Sequence, residues 1–178
     1  QFREALSVED VLNSPMIAAP LTRPMCSPIG DGAAAVVVVS ERKARSLGLV
    51  TPVRISSMVL HSGWDHAPGE EGGAAELYDR SAPAKRIAYE ALGLYSKGEG
   101  GRLIDSGATR LGGPIPVNTS GGLFRKGHPV GATGIAQVVE LTEQLRGDSG
   151  ARQVKGAKVG LAHNGGGSIG SDAAAMCI

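Results

Sequence analysis

Rings are scarce in this chain. Aromatic residues make up 3% of its 178 positions, with one tryptophan, three tyrosines and two phenylalanines. A core must then be closed by aliphatic side chains and close backbone approach, because few large rings are there to fill it. Cysteine is nearly absent too. Cys26 and Cys177 match no metal-ligand spacing. With no signal-peptide pattern, they imply reduced thiols in a cytoplasmic protein. An excess of charge is also missing: 18 basic and 17 acidic residues leave a net charge of +1. No Lys/Arg cluster forms a face, which argues against a nucleic-acid or membrane-surface partner. No apolar run approaches the roughly 20 residues a membrane span needs.

Glycine is what abounds, with 27 residues set among many alanines and valines. That mixture points to tight turns and closely packed backbone rather than disorder. The length suffices for one domain with a core of its own.

Ser7-Val8-Glu9-Asp10 reads as a helix start, with Ser7 as cap, and Pro15 keeps that helix short. Pro15, Pro20, Pro24 and Pro28 make residues 15–30 an extended surface segment. Asp31-Gly32 then opens Ala33 to Val39, a continuous apolar run ending in four valines. Such a run predicts a strand buried on both faces, as in layered α/β folds. Ser40 caps a short helix over 41–47, closed by Gly48, and Val53 to Leu60 alternates as a second strand. Residues 61–75 read as a loop; His61, Asp65 and His66 lack a third clear ligand, so no metal is expected there. Ser81 to Leu92 reads as a capped amphipathic helix with Pro83 in its first turn, ended by Gly93. Residues 96–114 read as irregular. Lys158 to Ala162 and Asp172 to Ile178 read as a hairpin about the turn His163-Asn164-Gly165-Gly166-Gly167.

The chemistry concentrates in residues 117–145. Val117 leads into the glycine-rich loop Asn118-Thr119-Ser120-Gly121-Gly122, then Gly127-His128-Pro129, then a helix from Gly131. The first six helical residues, 131–136, carry no charge, which predicts a helix buried all round at its start, between two sheets. A histidine just ahead of a helix N-terminus should be disfavoured as imidazolium, so the neutral ring is its working form.

Asn118 to Gly122, together with Gly127-His128-Pro129-Val130-Gly131-Ala132-Thr133-Gly134, strongly resembles the C-terminal half of thiolases. The sterol-carrier-type, thiolase-like lipid-transfer group is the nearest match. Asp31 to Val36 looks like the last strand of that family's N-terminal domain. Gln144 to Gly147, Arg152 to Val154 and His163 to Gly167 fit the same group. The resemblance implies a thiolase-like layered αβαβα fold, with residues 1–48 ending the N-terminal domain and 49–178 forming the C-terminal one. It implies a coenzyme A thioester as substrate, with no separate cofactor. His128 would polarise the thioester carbonyl and help activate a cysteine, with His163 and Asn164 as further catalytic candidates. Asn118, Ser120, Gly121, Gly122, Gly165 and Gly166 would bind substrate. It also implies a homodimer or higher oligomer.

The departures from the family matter as much. Cys26 and Cys177 match neither thiolase cysteine. The sterol-carrier type carries an alternative cysteine in a His-Asp-Cys-Phe segment. Glu76-Leu77-Tyr78-Asp79 aligns with that segment if Tyr78 falls at the histidine. In the preferred alternative, Ser81 to Leu92 precedes it and about a strand and a half is missing near 92–97. The implied activity is acyl-CoA C-acyltransfer. The alternatives are retro-aldol cleavage of a β-hydroxyacyl-CoA with a small OB-fold acyl-CoA-binding partner, or a non-catalytic acyl-CoA-binding subunit.

Overall fold

A computed structural model describes residues 4–50, 52–61, 73–165 and 173–177. Helix α1 (Val8–Leu12) begins with a reciprocal capping box: the Ser7 hydroxyl accepts from Asp10 N–H, and the Asp10 carboxylate accepts from Ser7 N–H. The proline-bearing segment folds back on itself as a short antiparallel pair, β1 (Met16–Ala18) and β2 (Leu21–Thr22). Helix α2 (Glu41–Ser46) starts where Ser40 caps Lys43 N–H.

Between these elements the expected buried strand is absent. Residues 31–40 form no ladder, and Val37 and Val38 are 90% and 70% exposed. A run of β-branched residues makes a doubly buried strand only when strands lie on both sides and layers cover both faces. No described residue pairs with it, so the run stays extended and open.

The organised part of the molecule is a four-stranded mixed sheet. Strands β3 (Ser57–His61), β4 (Gly73–Leu77), β5 (Val159–Gly165) and β6 (Ala173–Cys177) lie in the order β3-β6-β5-β4. The terminal hairpin is as expected: β5 and β6 pair antiparallel from Leu161↔Cys177 to Gly165↔Ala173. His163, Asn164 and Gly165, read from the sequence as the start of the turn, belong to β5 itself. Strand β4 falls where a loop was expected, and pairs parallel with β5. Ala-Ala-Glu-Leu is too short and too polar to announce itself as a strand; β5 supplies the ladder that makes it one.

Alternation along β4 and β5 divides the core in two. Ala74 and Ala162 face helix α6 (Thr133–Arg146), packing with Val138, Leu141 and Val154. Ala75 and Leu77 face the opposite way, onto Ala88 and Tyr89 of α3 (Ala82–Ala91) and Leu103 of α4 (Gly100–Asp105). Small residues set these spacings. A Cβ on Gly160 would lie 3.2 Å from the Leu141 side chain, so the glycine lets α6 settle on β5.

Helix α3 follows the sequence reading closely, with Ser81 capping Ala84 N–H. Helix α4 does not: it opens with Gly100 and Gly101 and falls within a stretch that reads as irregular. Through 92–99 the chain is continuous and hydrogen-bonded, with Leu94 N–H on Tyr89 O and Glu99 N–H on Ser96 O. Strand β4, which pairs with β5, precedes α3. Helix α6 also departs from expectation. Its start is not enclosed all round: Gly131 and Ile135 are exposed, and the described residues cover it with one sheet. Buried polar side chains line one face of the helix from the first turn onward, at Thr133, Gln137, Glu140 and Gln144.

Candidate active site

His128 sits between α5 (Gly122–Lys126) and α6, held by backbone on both sides. Its N–H donates to Pro28 O at 2.8 Å, and its carbonyl accepts from Gly30 N–H at 3.5 Å. Both ring nitrogens are engaged. Nδ1 lies 2.8 Å from Thr133 Oγ1, in the first turn of α6, and Nε2 lies 2.9 Å from Tyr78 Oη. The Thr133 hydroxyl donates its single proton to Pro129 O at 3.1 Å. It therefore accepts at the ring, which assigns the imidazole proton to Nδ1 and leaves Nε2 as an acceptor for the Tyr78 hydroxyl. The two rings meet edge to face, with centroids 5.2 Å apart. Burial pushes the His128 pKa below its ordinary value, and the positive charge of Arg80 pushes it the same way. The neutral ring expected from the sequence follows, although burial rather than the helix end is the first cause.

Tyr78 comes from the residue just past β4, and the loop 118–122 fixes that strand end. Asn118, at φ 56°, donates its N–H to Ala75 O and accepts Leu77 N–H on Oδ1. Ser120 gives both its N–H and its hydroxyl to the Glu76 carboxylate, at 3.1 and 2.7 Å. Asp79, fully buried, accepts Leu123 N–H and lies 3.4 Å from Lys85 Nζ. Gly122 fills the space left between them: at φ 59°, a Cβ there would come within 2.7 Å of Asn118 Nδ2 and of Asp79 Oδ2. Gly121 shares the left-handed backbone, at φ 100°. These residues, expected to bind substrate, thus hold β4 and the histidine loop together.

Behind the loop lies a buried ionic layer that the sequence does not announce. Glu76, 1% exposed, has Lys126 Nζ at 3.8 Å. Desolvation raises its pKa, against the Lys126 charge and the Ser120 hydrogen bonds. Glu140 is desolvated as well, but hydrogen bonds from Arg152 and Gln144 outweigh burial and hold its carboxyl below the usual range. Gln144 ties the layer together, with Nε2 within hydrogen-bond reach of Arg152 O, Glu140 Oε1 and Thr119 Oγ1 at 2.8, 3.0 and 3.1 Å.

The remaining candidates separate. Gly165 lies against the Tyr78 ring, and Asn164 lies over Gly134 at the start of α6. His163 pairs in register with Leu77, and strand alternation turns it toward the α3 face, away from His128. Burial lowers its pKa, and its Nδ1 has no hydrogen-bond partner among the described residues. Gly166 and the loop residues Asp65 and His66 lie outside the described residues. Among the described residues no group of His, Cys, Asp and Glu could hold a metal ion, and no helix is long and apolar enough to cross a membrane. Tyr78 and Thr133, the two partners of the His128 ring, were not picked out from the sequence as site residues. The one signal for Tyr78 was its alignment with the histidine of the His-Asp-Cys-Phe segment.

A mixed sheet between α6 and the α3–α4 pair, with a histidine delivered just ahead of α6, defines a layered α/β protein of the thiolase type. The chain belongs to the thiolase C-terminal domain-like family, which it matches over residues 70–177. It is 42% identical to acetyl-CoA acetyltransferase of Methanothermobacter thermautotrophicus, over 97% of this chain and 51% of that protein. It is 40% identical to sterol carrier protein 2 of Oryctolagus cuniculus, covering 92% of this chain and 35% of the relative. To benzoylsuccinyl-CoA thiolase subunit BbsB of Thauera aromatica it is 35% identical, over 86% of this chain and 46% of the relative. Its fold matches the solved Ltp2-ChsH2(DUF35) aldolase with a TM-score of 0.75 at 24% identity, covering 96% of this chain and 51% of that one. The chain thus spans about half the length, or less, of these relatives.

Proposed function

We propose that this chain supplies the acid–base wall of a thiolase-like enzyme that cleaves a β-hydroxyacyl-CoA by a retro-aldol reaction. One observation carries the reading: the Tyr78 hydroxyl lies 2.9 Å from Nε2 of the buried His128 ring. Acyl transfer of the thiolase type needs a cysteine beside this imidazole. Both ring nitrogens of His128 are already engaged, by Tyr78 and Thr133, and at the place of the alternative cysteine of the sterol-carrier type, two past Tyr78, stands Arg80.

In the proposed step, the Tyr78 oxygen takes the proton of the substrate β-hydroxyl as its own passes to His128 Nε2. The Cα–Cβ bond breaks, its electron pair moves to the thioester enolate, and the β-carbon leaves as a ketone or aldehyde. The proton then returns through Tyr78 to Cα, giving the shortened acyl-CoA and restoring both side chains. Thr133 positions the ring by accepting Nδ1–H throughout. Removing an acid–base group of this kind costs about 10²- to 10⁴-fold in rate. His128 thereby acts as proton acceptor instead of the oxyanion donor that the family resemblance implies.

The test is the product. Retro-aldol cleavage releases a ketone or aldehyde without consuming free coenzyme A, and Tyr78→Phe lowers the rate at least about 100-fold while the circular dichroism spectrum is kept. A wild-type rate in Tyr78→Phe sinks the reading. Cleavage that requires free coenzyme A and yields two thioesters establishes the rival reading, acyl-CoA C-acyltransfer, which the 42% identity to an acetyltransferase favours. Coenzyme A binding without turnover makes the chain a non-catalytic subunit. The assay belongs on the full-length polypeptide with its natural companions. A homodimer or higher oligomer and a small OB-fold acyl-CoA-binding chain are part of this proposal; the name of the solved aldolase, which joins two components, supports looking for the latter.

A further inference from the structure

Tyr78 is bracketed by two buried carboxylates, and both reach the short helix that leads to His128. Asp79, fully buried, accepts Leu123 N–H at 2.8 Å near the start of α5. Glu76, 1% exposed, meets Lys126 at the end of the same helix. That second contact runs through Ser120. Lys126 Nζ donates to Ser120 Oγ at 2.8 Å, and Ser120 Oγ donates to Glu76 Oε2 at 2.7 Å. Ser120 N–H donates to the other carboxylate oxygen at 3.1 Å. Glu76 lies two residues before Tyr78, and Lys126 two residues before His128. The chain of contacts thus joins the segment that carries the hydroxyl to the segment that carries the imidazole.

The histidine has anchors of its own, in Pro28 O, Gly30 N–H and Thr133 Oγ1. Tyr78 has fewer among the described residues: its hydroxyl meets His128, and its ring lies against Gly165. The 2.9 Å separation of the pair then depends on where the end of β4 is held, and Glu76 is bonded there to the loop by both carboxylate oxygens. Stability is a poor reason for a charge in this place. Burying an ion pair is often no better than burying neutral side chains of similar volume, and its best-attested use is to fix how two segments register.

We propose that Glu76 is a positioning residue, which acts through Ser120 and Lys126 to set the distance between Tyr78 Oη and His128 Nε2. Glutamine at this place keeps the volume but brings an NH₂ group where an acceptor is needed, so one Ser120 bond and the Lys126 pairing are lost. The inference rests on the retro-aldol reading for its effect on turnover, and on geometry alone for its effect on the pair.

The experiment reads both, on the full-length protein with its natural companions. Diethyl pyrocarbonate acylates an unprotonated ring nitrogen, and peptide mass mapping follows its rate at His128. Tyr78→Phe removes the partner of Nε2 and sets the upper limit. Glu76→Gln and Ser120→Ala are each expected to raise the His128 rate about threefold or more towards that limit, while the rate at His163 stays at the parent value. Glu76→Gln added to Tyr78→Phe is expected to change nothing further. In turnover, Glu76→Gln is expected to lower kcat about tenfold with KM unchanged. A parental His128 rate in both single variants overturns the proposal. Equal acceleration at His163 also overturns it, because the effect is then a general loosening, and so does a further rise in the double variant. If Tyr78→Phe turns over at the parent rate, the retro-aldol reading falls and the labelling comparison still decides the position of the pair.

Discussion

Residues 73–165 and residues 4–50 are built from the same kinds of side chain and meet opposite fates. In the first, Val117, Val138 and Val154 are buried between β4, β5, α3 and α6; in the second, Val36 to Val39 lie open beside an exposed Ile29. Local sequence does not separate them, since the four-valine run is the more apolar of the two. Neighbours do. A strand is stabilised by what pairs with its edges and covers its faces, and β4 has both where the valine run has neither.

Leu141→Ala strikes the better-packed side. Leu141 is fully buried under Gly160, and its truncation is expected to cost about 2–5 kcal/mol in denaturant unfolding. A cost near zero would mean that α6 is not seated on β5. Gly122→Ala comes next, at about 1–3 kcal/mol, because the added methyl meets Asn118 and Asp79 at a left-handed backbone. Its expected signature is a simultaneous weakening of the Tyr78–His128 contact, seen as altered tyrosine fluorescence.

A smaller effect is read in pH. Glu76 has its pKa raised in the folded state, chiefly by desolvation. Its contribution to stability is full below the unfolded value of about 4.5 and is lost as pH rises through the folded value. Chemical unfolding across that window should show the parent protein losing ground to Glu76→Gln as pH rises. His128 runs the other way: with its folded pKa depressed, its contribution is present above about 6.5 and lost as pH falls. Equal pH slopes in parent and Glu76→Gln would remove Glu76 from the account.

Val37→Ser gives the smallest change, within about 0.5 kcal/mol, as for an exposed site. In a longer polypeptide or a complex that pairs this run, the same substitution should cost about 1.5 kcal/mol or more. The contrast between the two preparations would measure how far the difference between the regions depends on missing neighbours.

What was legible in the sequence was local. Ser7, Ser40 and Ser81 announce their helices because a cap is a contact across three residues. His128 was legible because glycine and proline fix its backbone within the motif itself. Tyr78, Thr133 and Glu76 were not picked out. Tyr78 and Glu76 acquire His128 and Ser120 from segments 50 and 44 residues away that only the fold brings near, whereas Thr133 meets His128 inside one motif, where nothing in the sequence marks a threonine as a ring partner. The valine run was misread for the same reason in reverse: its pattern names a partner that the described residues do not provide.

The isolated bridge between Ala75 and Val117 has one more consequence. Pro116 O and the Asn118 amide take the outward-facing groups of Ala75, so a scrap of loop finishes the β4 edge as a short strand would. Among the described residues the β4 margin is capped at Ala75, and no strand pairs with the outer edge of β3. Edge-to-edge pairing of two copies would have to run through β3, consume the free margin of each, and stop at two. In that arrangement the cap at Ala75 limits the stack to a pair.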